Sequence, residues 1–144
     1  MSAQAGVAVL GALSVGDIIA ERSFEISRDT LVHYAGASGD FNPLHSDEVY
    51  ATQAAGFPSV FGHGMLTMAM TGKAVTDYVG DGRLCTFGGR FRSQVWPGDT
   101  LTTRLSVTAI RAEHDIPLVE LDVVTVNHNG TVVFSGTAVA RIDP

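Results

Sequence analysis

Apolar positions recur along the chain with two different periods, and the change falls at Gly80-Asp81-Gly82. Before it, Leu31, Tyr34, Ala35 and Ser38 fall at i, i+3, i+4 and i+7, which predicts a helix that Ser27 caps and that ends near Gly39. A second and longer helix is predicted over 63–79. Met65, Met68, Ala69, Gly72, Val75, Thr76 and Val79 form one stripe, Leu66, Met70 and Ala74 widen it, and only Lys73 and Asp77 carry charge. A helix apolar on most sides is expected to be buried on most sides. Gly72 lowers its helix propensity by about 1 kcal/mol relative to alanine, so close packing against another backbone is the expected reason for it.

After Gly82 the period becomes two. Leu101, Thr103, Leu105, Val107 and Ala109 alternate with polar or outward positions over 101–110, and the β-branched run 118–126 is joined to 131–142 through Asn129-Gly130, a hairpin signal. A strand over 83–95 ends at Trp96-Pro97-Gly98-Asp99, and another over 18–27 follows the turn Val15-Gly16-Asp17. Five strands and one long buried helix make an α+β domain, an antiparallel sheet curled round that helix. Such a sheet has an exposed edge, and pairing two copies is one way to cover it.

The 144 residues suit one domain over 14–144 behind an N-terminal extension, 1–13. That extension is apolar but has no basic residue before Arg22, so it reads as loosely held chain rather than as an export signal or a membrane span. Net charge is −6 without a basic run, which argues against nucleic acid and anionic membranes as partners. Cys85 is the only cysteine, so an internal disulfide and a multi-thiolate zinc site are both excluded. A cytoplasmic location is the expectation.

One stretch has no hydrophobic period: Gly39-Asp40-Phe41-Asn42-Pro43-Leu44-His45-Ser46-Asp47. On a continuous helix Asp40 and His45 would point about 140° apart. Pro43 removes a backbone donor and disfavours helical geometry at Asn42, so the chain turns, and a turn can bring the two side chains together. Two readings follow. Either Asp40 and His45 form an acid/base pair, or Asp40 and Asn42 only make a turn and His45 opens a short helix with Ser46 as cap.

Gly62-His63-Gly64-Met65-Leu66 opens the long helix, eighteen residues on from His45. Glycine there lets a ligand reach free backbone N–H groups, and the helix dipole favours negative charge. An oxyanion site beside an acid/base pair is the resulting expectation. His63 stands among the substrate-binding candidates, although a lone histidine is more often held by its neighbours.

The segments YAGASGDFNPLHSDEVYA, GFPSVFGHGMLTMAM and RFRSQVWPGDTL resemble the MaoC-like family of (R)-specific enoyl-CoA hydratases and related (3R)-hydroxyacyl-thioester dehydratases, over roughly 14–142. The resemblance implies the hot-dog fold, a sheet wrapped round a central helix and usually paired into dimers. It implies that Asp40 and His45 are the catalytic pair, that Asn42 holds the loop and helps place water, and that the Gly64 amide binds the thioester oxygen. Some members carry a serine eight residues after that glycine. Gly72 stands there in this chain, which removes a polar contact and widens the acyl tunnel.

The implied reaction is reversible hydration of trans-2-enoyl thioesters to (3R)-hydroxyacyl thioesters, with no metal and no redox cofactor. Coenzyme A or acyl-carrier protein would carry the acyl group. Arg83, Arg90, Arg92 and Lys73 are the cations available for a phosphate-bearing arm, and Met65, Met68, Met70 and Phe61 the side chains available for an acyl pocket. The expected assembly is a homodimer or a heterodimer with a related hot-dog subunit. The runner-up is the catalytic subunit of a heterodimeric acyl-carrier-protein dehydratase of fatty-acid elongation. A hot-dog thioesterase and a non-catalytic binding subunit are the remaining alternatives.

Overall fold

Gly16 adopts φ 96° and turns the chain into the first strand, while Ser14 N–H donates to the Asp17 carboxylate across the same turn. The computed structural model describes residues 12–143. The predicted extension 1–13 therefore lies outside the described residues except for its last two positions, and Leu13 packs against the core. Strand β1 (Ile18–Glu25) leads into α1 (Arg28–Ser38), capped by Ser27 in a reciprocal capping box with Thr30 and closed by Gly39 at φ 75°. Short 3₁₀ (Pro43–His45) and π (Tyr50–Ala54) turns precede α2 (Gly64–Val79). Strands β2 (Leu84–Phe91), β3 (Thr100–Glu113), β4 (Ile116–Val126) and β5 (Val132–Arg141) complete the fold.

The five strands form one antiparallel sheet in the order β1-β3-β4-β5-β2, with α2 packed across it. This is the α+β arrangement that the two periods predict. Asn127–Thr131 makes the β4–β5 hairpin, with Gly130 at φ 80°. Along β3 the buried positions Leu101, Thr103, Leu105 and Val107 alternate as expected until a bulge between Val107 and Ala109 shifts the register. The strand predicted over 83–95 stops at Phe91. Beyond it the Val95 carbonyl turns away from the sheet and accepts the Gly62 N–H at 2.7 Å. Among the described residues no helix is long and apolar enough to cross a membrane.

Helix α2 corrects two expectations. Its buried face is Leu66, Thr67, Thr71, Ala74, Val75 and Val79, whereas Met65 is 56% exposed and Ala69 lies open beside it. The face is thus rotated from the predicted stripe, because polar residues serve as core. Thr71 and Thr103 each bond the Thr125 hydroxyl, at 2.7 and 2.6 Å, and a hydroxyl both donates and accepts. Gly72 packs against a ring, not a backbone: a Cβ there would stand 3.1 Å from Phe87. The space left by the missing side chain is occupied by that ring and does not widen a tunnel.

Candidate active site

The turn at Asp40 is built from its own side chains. Ser38 Oγ accepts the Asp40 N–H and donates to the Tyr34 carbonyl, so the last turn of α1 reaches into the loop. Asp40 Oδ1 accepts the Asn42 N–H at 3.2 Å, and Asn42 Oδ1 accepts the Leu44 N–H at 3.0 Å. These Asx contacts offer the backbone an alternative to helix. Pro43 then starts the 3₁₀ turn that ends at His45. Ser46 closes that 3₁₀ turn as its C-cap, and Asp47 Oδ1 accepts the Tyr50 N–H at the start of the following turn.

His45 is held from behind. Its Nδ1 lies 2.6 Å from the Phe61 carbonyl, which can only accept, so Nδ1 carries the proton. In the neutral ring the other nitrogen, Nε2, then carries the lone pair, and it faces Asp40 Oδ2 at 3.9 Å. That separation is too long for a hydrogen bond and leaves space for a group touching both. His63 is 2% exposed and stacks on His45 with ring centroids 3.8 Å apart. It donates Nε2–H to the Asp40 carbonyl at 3.1 Å, while Tyr34 meets its ring edge-on. Burial, ahead of every other influence, pushes the His63 pKa below its ordinary value and keeps the ring neutral. Its Nδ1 is buried without a partner among the described residues.

Asp40, His45 and His63 bring potential metal-ligand atoms within 4.8 Å of one another. His63 Nε2, however, is already donated to a carbonyl and its Nδ1 is buried. Two lone-pair donors remain, one fewer than the usual three protein ligands of catalytic zinc.

His63 is also the N-cap of α2, so Gly64 is the first helical residue. The opening amides of a helix have no carbonyl of their own helix to bond, and here they follow directly on the ring stacked against His45. Phe91 of β2 covers one side of Gly64, its ring 3.3 Å from where a Cβ would stand. Met65 flanks the same point on the exposed side.

Phe91 faces α2, so Arg90, its neighbour on the strand, faces the other side of the sheet. Arg90 pairs in register with Ser135, and Arg92 Nε donates to the Ser135 hydroxyl. Both arginines line an open groove of about 500 Å³ with Gly88, Asp122 and Thr137, which shares no residue with the Asp40–His45 cluster. The structure brings Asp40, His45, His63, Asn42 and Gly64 together and sets Arg90 and Arg92 apart from them. Sequence reasoning missed the Phe61 carbonyl, because a backbone acceptor has no residue-type signal. It also missed Glu48, whose carboxylate accepts from Arg28, Ser59 and the Val60 N–H.

Comparison with known proteins adds a family match. A family model described as "MaoC like domain" covers residues 15–129. The chain is 33% identical over 129 residues to the mitochondrial 3-hydroxyacyl-(acyl-carrier-protein) dehydratase of Arabidopsis thaliana, 89% of this chain and 76% of that protein. It is 45% identical over 69 residues to 3-hydroxyacyl-thioester dehydratase Y of Mycobacterium tuberculosis, 46% of this chain. The matches to that protein and to two other curated relatives span only about a quarter of each relative's length. Among solved structures, the (R)-hydratase of Aeromonas caviae involved in PHA biosynthesis superposes with a TM-score of 0.80 at 29% identity, covering 91% of this chain and 98% of that one.

Proposed function

The chain belongs to the MaoC-like domain family, and from that premise we propose that it is an (R)-specific enoyl-CoA hydratase, adding water reversibly to trans-2-enoyl thioesters. The observation that carries the reading is the aimed histidine: Nδ1–H fixed on a carbonyl, Nε2 free and facing Asp40, beside an open helix start. In the proposed step His45 Nε2 takes a proton from water as the oxygen bonds to C3. The C2=C3 electron pair moves to an enolate whose oxygen sits on the Gly64 amide. A water bridging the 3.9 Å gap relays the proton from His45 Nε2 to the Asp40 carboxylate, which passes it to C2 and leaves the enzyme as it began. Each acid/base role supplies about 10²–10⁴ in rate, and an oxyanion donor about 10²–10³. None of these steps calls for a metal or redox cofactor.

A second copy of the chain, or a related hot-dog subunit, is the proposed partner. The β1 and β2 edges are open, and Met65 and Phe91 lie exposed side by side at the Gly64 end of α2. The test is loss of enoyl absorbance with crotonyl-CoA and, in parallel, with the crotonyl acyl-carrier-protein thioester. Hydration of the first gives a product that a 3S-specific dehydrogenase does not oxidise. Turnover of the carrier-protein thioester alone would favour the elongation dehydratase, and release of free thiol would replace the reading with a thioesterase.

A further inference from the structure

We propose that Glu48 is a positioning residue for His45, acting through the Phe61 carbonyl. The kinetic consequence rests on the hydratase reading above; the structural one does not. Everything His45 does as a base depends on Nδ1 keeping its proton, and that depends on where the Phe61 carbonyl stands. Phe61 belongs to an irregular segment, 56–62, with no ladder of its own to hold it. A backbone stretch of this kind must find each polar group a partner, and its partners show what fixes it.

On one side the segment is tied by Phe61 N–H to the Leu44 carbonyl at 3.2 Å and by Gly62 N–H to Val95. On the other side Glu48 is the tie. A single carboxylate oxygen, Oε2, accepts the Val60 N–H and the Ser59 hydroxyl, both at 3.2 Å, and the Arg28 guanidinium at 2.8 Å. Arg28 also reaches Ser59 Oγ at 3.4 Å. Glu48 thus fastens the first residue of α1 and the start of the π turn to the residues immediately before the critical carbonyl. Val60 has its side chain fully buried, so its amide sits at the edge of the core, where an unmet donor is costly. The Arg28 hydrogen bond first, and the Val60 N–H next, hold the Glu48 carboxyl below its usual range, consistent with a carboxylate gripped in its charged form.

Without that grip residues 59–61 move, the Phe61 carbonyl drifts, and His45 gains access to the tautomer with its proton on Nε2. That form cannot accept a proton from water. The loss therefore appears in kcat and not in KM, since nothing that touches the substrate has changed. Misplacement of a reacting group by about 1 Å costs up to about 10²-fold in rate.

The test uses the full chain labelled with ¹⁵N in histidine, without substrate. Ring nitrogen shifts of the wild type are expected to report one His45 tautomer, with the proton on Nδ1. Glu48→Ala, shown folded by circular dichroism, is expected to report a mixture. Glu48→Gln, which keeps an acceptor oxygen but loses the charge that holds Arg28, should fall between them, and it decides the matter if the alanine variant does not fold. With crotonyl-CoA, Glu48→Ala is expected to lower kcat at least about tenfold with KM within about twofold. An unchanged Nδ1–H tautomer in the folded variants overturns the proposal. If the wild type fails to hydrate crotonyl-CoA, the hydratase reading fails, while the nitrogen shifts still decide the role of Glu48.

Discussion

Among the described residues, two aspartate–histidine pairs have almost the same separation. Asp40 and His45 approach to 3.9 Å, and Asp99 and His128 to 3.8 Å. Their exposures are reversed. In the first pair the histidine side chain is 11% exposed and the aspartate 51%; in the second the aspartate is 10% exposed and the histidine 50%. Asp99 is spent on the backbone, where its Oδ2 accepts the Trp96 N–H at 3.0 Å in the Pro97-Gly98 turn, and its carbonyl accepts the Ile26 N–H. His128 merely stands over it from the β4–β5 hairpin. In the first pair the histidine is held by the backbone as well, through Nδ1 on the Phe61 carbonyl, while Asp40 accepts the Asn42 N–H on Oδ1 and turns Oδ2 towards the ring. Separation does not distinguish the two pairs; whether the backbone holds the histidine does.

Exchanging the lesions should separate the two pairs most sharply. Asp40→Asn and His45→Gln are each expected to lower hydration of crotonyl-CoA by at least about 10²-fold without changing stability much. Asp99→Ala and His128→Gln are expected to leave turnover within a few-fold. Asp99→Ala should instead lower unfolding free energy in urea by about 1–3 kcal/mol, because it strands the Trp96 amide. Near-normal turnover in folded Asp40→Asn, or an undiminished urea midpoint in Asp99→Ala, would remove the distinction.

The sequence reveals the first pair and hides the second for physical reasons. Asp40, Asn42, Pro43 and His45 lie within six residues, and Pro43 forces the turn that joins them, so the local sequence is enough to bring them together, while the choice of an acid/base pair over a plain turn rests on the family resemblance. Asp99 and His128 come from distant turns, and only the β3–β4–β5 register brings them together. The same limit explains α2. Periodicity finds its length and its ends, because caps and hydrophobic spacing are local. It misses which face is buried, because the Thr71–Thr125–Thr103 hydroxyl chain makes polar residues acceptable in the core. The placement of the arginines is hidden in the same way: strand alternation sets Arg90 opposite Phe91, but which face meets α2 depends on Gly64 and Phe91 touching. Glu48 was legible as a residue and not as a tie, since its donors Ser59 and Val60 sit in a segment without a pattern.

Only the first pair stands beside a helix start, and that difference is open to a test at one atom. His63 has φ −59° and ψ 132°, an extended conformation that a following proline tolerates, and Gly64 is the first helical position, where proline is favoured. Gly64→Pro should therefore delete the amide hydrogen while keeping α2, and lower kcat by about 10²–10³. Gly64→Ala retains the amide. Its Cβ would press on Phe91 at 3.3 Å, but that ring is exposed and can yield, so turnover should fall only a few-fold. Equal activity in the two folded variants would show that the Gly64 N–H does not bind the reacting oxygen.

The first pair is also the only one of the two backed by a buried ring, and this gives the smallest expected effect. His63 is neutral in the folded chain because burial lowers its pKa from the ordinary 6.5, with the stacked His45 adding to the effect and the Asp40 carbonyl and carboxylate opposing it. The unfolded chain has no such restraint and takes up a proton as pH falls through about 6.5. Below that point the unfolded state binds more protons than the folded one, so stability decreases with falling pH and levels off once the folded ring also protonates. The slope from one such group is at most about 1.4 kcal/mol per pH unit. His63→Gln keeps an N–H for the Asp40 carbonyl but does not titrate. Urea midpoints of wild type and His63→Gln measured from pH 7.5 to 5 should therefore converge, with the wild type falling more steeply. A wild-type curve no steeper than that of the variant would mean that His63 accepts its proton as easily folded as unfolded, and that the ring behind His45 is not held neutral by its burial.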